Sequence, residues 1–159
     1  MQRDRVMLPF LAFPLGVVAG LRVMLVAATV SWASYLGLLD LEGTWLEFLG
    51  RPATPWLLTL LALGELLVDQ LTITPSRKIP IQFGARIASG ALAGAALGMD
   101  SGRWFLGTVL GVVGAILGTL AGYEFRKRLA IRFGRDRPAA IIEDAVAIGG
   151  ALLILVAMP

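Results

Sequence analysis

The chain alternates long apolar runs with short polar segments. Five runs stand out, over residues 9–36, 55–71, 80–99, 104–125 and 138–158. They cluster around the roughly 20 residues that a helix needs to cross a hydrocarbon core, and none shows the strict alternation of a half-buried strand. The pattern predicts an all-α integral membrane bundle of about five transmembrane helices in one domain. Pro55, Pro80 and Pro138 open the second, third and fifth runs, where a missing N–H is harmless in the first helical turn. The first run is too long for one straight crossing and contains Pro14, so a tilt, a kink or an interfacial start is expected there. The opening "MQRDRVMLPFLAFPLGVVAG" has the charged start and apolar core of a secretory signal. No small-x-small cleavage site follows and the run continues past Arg22, so it reads as a retained helix.

Composition supports the membrane reading. The 159 residues are 57% hydrophobic and 16% charged, against about 45–50% apolar and about 25% charged in ordinary soluble domains. Mean hydropathy is +0.80 and the isoelectric point is near 10.0. The basic residues collect in "QRDR", "TPSRK" and "RKRLAIRFGRDR", between apolar runs. That distribution reports membrane topology and not nucleic-acid binding. By the positive-inside rule it predicts a multi-pass protein of a bacterial inner membrane with a cytoplasmic N-terminus. The opposite side holds the acidic connection "LDLEGTWLEFLGRPATP", which reads either as a short interfacial helix anchored by Trp45 and Trp56 or as a plain loop.

There is no Cys and no His. Disulfides, thiolate chemistry, the usual zinc and haem sites and a Ser-His-Asp triad are thereby excluded. No phosphate-cradling glycine loop is present either, so an enzyme is disfavoured and no cofactor is implied.

Glycine carries a second pattern. Gly16 and Gly20 lie four apart, as do Gly90, Gly94 and Gly98, and the fourth run carries Gly107, Gly111, Gly114, Gly118 and Gly122. Such stripes let another helix approach closely, within the chain or between copies. A homo-oligomer through the third or fourth run is expected. A shift of 58 residues superposes Gly64 on Gly122, Leu71 on Leu129, Ile73 on Ile131, Arg77 on Arg135 and Pro80 on Pro138, consistent with a duplicated hairpin over 52–100 and 110–158.

The candidate chemistry lies in charges inside the apolar runs. "LALGELLVDQL" places Glu65 roughly 15 Å from Pro55 along a helix, near mid-membrane, with Asp69 one turn further. Arg22, Arg86, Glu143 and Asp144 occupy similar depths, and Glu124 lies near the inner end of the fourth run. A lone charge at the bilayer centre costs at least about 2.5–3.5 kcal/mol. One shared cluster is therefore expected. Glu65, Asp69, Glu143 and Asp144 outnumber Arg22 and Arg86, and the surplus must bind a cation or hold protons.

"GLR" in the first run, "GELLVDQLTITPSRKIP", "GARIASGALAGAALG" and "IIEDAVAIGGALLI" together resemble a family of small bacterial membrane proteins known as a domain of unknown function. The resemblance implies that Arg22, Glu65, Asp69, Arg86, Glu143 and Asp144 are that family's polar positions, and it implies no activity. Two functions are then expected ahead of others. One is a small transporter or channel for a proton, Na⁺ or hard divalent cation. The other is a membrane scaffold whose buried ion pairs fix helix register.

Overall fold

The computed structural model describes residues 2–69, 80–99 and 101–158. Among them are six α-helices and no strand: α1 (Gln2–Leu21), α2 (Val23–Tyr35), α3 (Ala53–Asp69), α4 (Pro80–Met99), α5 (Trp104–Phe133) and α6 (Asp136–Val156). The connection between α2 and α3 forms one 3-10 turn, Glu47–Gly50, with Trp45 and Trp56 both exposed. α5 and α6 are each long and apolar enough to cross a membrane, while Met7–Leu21 and α2 are shorter apolar helices. α5 runs past the expected end at residue 125 and stops at Gly134, whose φ of 67° suits glycine.

The expected five helices are six because the first run is broken. Arg22, at φ −141° and ψ 114°, is extended between α1 and α2. Both prolines of the run, Pro9 and Pro14, lie inside α1. The break therefore falls at the charge and not at a ring.

The contacts around the break fix the helix directions. Arg22 faces Asp144 of α6, Val18 lies against Gly150, and Trp32 lines a groove with Leu155. Thus α1 is antiparallel to α6 and α2 is parallel to it. The chain doubles back at Arg22. α1 begins at the bundle end that holds residues 36–52, opposite the basic turn 126–137.

α5 is the central helix, with α1 and α4 laid against it. A Cβ added at Gly90 would lie 2.6 Å from the Gly111 carbonyl oxygen, and one at Gly98 would lie 2.5 Å from that of Arg103. At Gly16, Gly94, Gly107, Gly111, Gly114 and Gly118 it would run into the backbone of the facing helix. Backbone-to-backbone approach, which gains dispersion and Cα–H···O contacts, demands glycine at these positions. The stripes are thus taken up inside one chain, and a homo-oligomer would have to use another face. Leu71, Ile73 and Arg77 of the 58-residue repeat lie outside the described residues.

Candidate functional site: a broken helix held by charges

Interrupting a helix frees carbonyls at the end of one half and N–H groups at the start of the next. Here both sets receive charged partners. Arg86 of α4 donates from Nη1 to the carbonyls of Gly20 and of Leu21, the latter at 2.8 Å. The Glu65 carboxylate of α3 accepts the N–H of Val23 at 2.9 Å on Oε1 and that of Met24 at 2.8 Å on Oε2. Ser89 adds a hydroxyl bond to the Val23 carbonyl at 3.1 Å. A cation thus faces the negative end of α1 and an anion the positive end of α2, the arrangement that helix dipoles favour.

Arg22 itself is 1% exposed. Its Nε and Nη2 both donate to Asp144 Oδ1, the former at 2.7 Å, and its Nη1 donates to Asp69 Oδ2 at 2.7 Å. Asp69 Oδ2 also accepts from Arg126 Nη1 of α5 at 2.7 Å. Arg126 reaches on to Asp136, with Nε at 3.0 Å and Nη2 at 2.5 Å, and lies 3.7 Å from Glu143 Oε2. Glu143 and Asp144 are both buried yet serve different arginines, as their roughly 100° separation on a helix requires.

All six expected residues therefore meet around one break. Glu124 does not join them: it is half-exposed and pairs with Arg128 at 3.0 Å. Two features go beyond what the sequence suggests. Arg126 is a third cation of the network, and Glu65 binds backbone N–H groups and neither Arg22 nor Arg86. Arg126 brings Asp136 with it, so the network counts five carboxylates and three guanidinium groups, and one of the carboxylates, Glu65, lies on a helix end carrying roughly half a positive charge.

Among the described residues no group of three or more Asp or Glu side chains is placed to hold a metal ion. A cleft of about 180 Å³ opens beside the break, lined by Val23, Glu65, Asp69, Gln82 and Arg86 among others. At about 30 Å³ per water it has room for a handful of water molecules against Glu65.

The model of the family called domain of unknown function, DUF4126, matches residues 10–159. The chain belongs to that family. No curated protein and no solved structure matched it. The expected kinship with an uncharacterised domain family holds over most of the chain, and it brings no activity with it.

Proposed function

We propose that the protein is a small multi-pass membrane transporter for a cation, that the break at Arg22 is its site, and that the proton is the cargo this site fits best. The observation that carries the reading is the bonding of Glu65. Asp69 and Asp144 are bound to guanidinium groups and Glu143 lies 3.7 Å from one, so protonating them weakens ion pairs. Glu65 is held by two neutral backbone donors and borders the polar cleft. A proton arriving there exchanges hydrogen bonds without stranding a buried charge.

Energetics favour a functional break. A continuous apolar helix would leave no backbone group to satisfy and no charge to desolvate, and apolar replacements of buried ion pairs are often neutral or stabilising. Discontinuous helices with ion-binding half-helix ends recur in secondary transporters. At the far end Asp40, Glu42 and Glu47, together with Arg51, border a cleft of about 690 Å³. The basic turn carrying Lys127, Arg128, Arg132, Arg135 and Arg137 is assigned to the cytoplasm of a bacterial inner membrane by the positive-inside rule.

The test is purified protein in liposomes, with an internal pH dye and a panel of H⁺, Na⁺, K⁺ and Mg²⁺ gradients. Proton flux above protein-free vesicles is expected. Silence across the whole panel, with folded protein, would favour the second reading, a scaffold in which the ion pairs only fix helix register.

A further inference from the structure

α3 is the least integrated helix. Among the described residues it packs against α2 and the 3-10 turn and against no other helix to a similar extent. Only Pro55, Ala62 and Asp69 of its residues are buried, whereas Trp56, Leu57, Leu60, Leu61, Leu63 and Leu67 are exposed. Clefts flank it on both sides. The polar cleft of about 180 Å³ separates its inner half from α4, and an apolar groove of about 240 Å³, lined by Leu63 and Leu66 on one wall and Ile148 and Leu152 on the other, separates it from α6. Yet α3 supplies Glu65, and Asp69 one turn later.

Across the side facing α5 and α6, Arg126 makes one bridge, and Arg22, between Asp69 and Asp144, makes the other. The Arg126 guanidinium takes Asp69 Oδ2 of α3 with Nη1, reaches the Asp69 carbonyl with Nη2 at 3.4 Å, and holds Asp136 of α6 with Nε and Nη2. One planar fork thereby joins three helices, a geometry that a lysine cannot reproduce.

We propose that Arg126 is the gate residue of this site: its fork latches α3 to the α5–α6 hairpin alongside Arg22, which joins the same Asp69 oxygen to Asp144 of α6, and loss of the Arg126 arm loosens α3 enough to swing away from α6. This rests on the transport reading above for its purpose, though not for its geometry. The carrier carboxylate and the latch carboxylate lie on the same moving helix, so opening changes the surroundings of Glu65 directly. A helix that packs mainly on one neighbour and has room on both flanks can move as a unit.

The chain has no cysteine, so spin labels can be placed at Leu67→Cys on α3 and Ile141→Cys on α6, both exposed positions, and the distance between them measured in liposomes. Arg126→Gln is expected to move the distribution to longer distances. Arg126→Lys, which keeps the charge and loses the fork, should give a smaller shift, and Asp136→Asn, which leaves the Asp69 arm, a smaller one still. If Arg126→Gln does not fold, the Arg126→Lys shift decides. Unchanged distributions in the folded Arg126 variants would overturn the latch. Wild-type flux with unchanged distances would defeat the latch alone, and lengthened distances in a protein that carries no ion would defeat the transport reading alone.

Discussion

Asp69 and Arg22 meet through an oxygen that serves two cations: Asp69 Oδ2 lies 2.7 Å from Arg22 Nη1 and 2.7 Å from Arg126 Nη1. One atom at the end of α3 thus ties the break in the α1–α2 segment to the central helix α5. Asp69→Asn removes the negative charge from both guanidinium groups at once. Arg22 keeps Asp144 and Arg126 keeps Asp136, so the expected loss of stability is about 1–3 kcal/mol, the usual range for weakening hydrogen bonds to buried charged groups. Thermal unfolding in detergent measures it, and a change below about 1 kcal/mol would contradict the described network.

The Arg22–Asp144 pair should show strong coupling. Arg22→Gln leaves two buried carboxylates facing a neutral amide, so it should destabilise severely. Adding Asp144→Asn should recover part of the loss, because the double variant removes both ends of one ion pair. A double-mutant cycle on unfolding free energy reads this coupling directly. Additive effects would show that the pair is not formed.

Glycines divide into two classes with opposite outcomes. Gly94→Ala and Gly111→Ala place a methyl group against facing backbone that has nowhere to move, and each should collapse the α4–α5 contact. Gly64→Ala meets nothing within 4 Å in the middle of α3 and should stabilise by about 0.5–1 kcal/mol through helix propensity. Melting temperatures of the three variants test the packing without reference to function.

Cysteine labelling addresses topology. Arg132→Cys should react from the cytoplasmic side, and Glu42→Cys from outside. A tag at the N-terminus should share the side of Glu42, because the chain doubles back at Arg22. A tag on the side of Arg132 would contradict the reversal.

Much of the site is legible in the sequence, because charges inside apolar runs are costly and must gather. On that ground alone Arg22, Glu65, Asp69, Arg86, Glu143 and Asp144 belong to one cluster. The break is harder to see. Residues 9–36 are apolar on either side of Arg22, and the obvious helix breaker, Pro14, is tolerated inside α1. What permits the reversal lies far away in the chain, in Arg86 and Glu65, which satisfy the freed carbonyls and N–H groups. Arg126 is hidden for a different reason, since it reads as part of the basic turn that sets topology. The spacing nevertheless carries it: Gly118, Gly122 and Arg126 follow at intervals of four, so the glycine face of α5 continues inward to the guanidinium. The glycine stripes read correctly as contact surfaces, but their partners lie within the same chain.

If Glu65 at the broken helix carries the ion, proton flux must fail in Glu65→Gln. The amide keeps the shape of the side chain and one oxygen acceptor for the Val23 or Met24 N–H, so the variant should lose no more than about 1–3 kcal/mol and remain folded. Having no proton to bind and release, it should carry none. Wild-type liposomes should acidify under an imposed gradient while folded Glu65→Gln stays at the protein-free rate; flux at the wild-type rate in the folded variant would contradict the account.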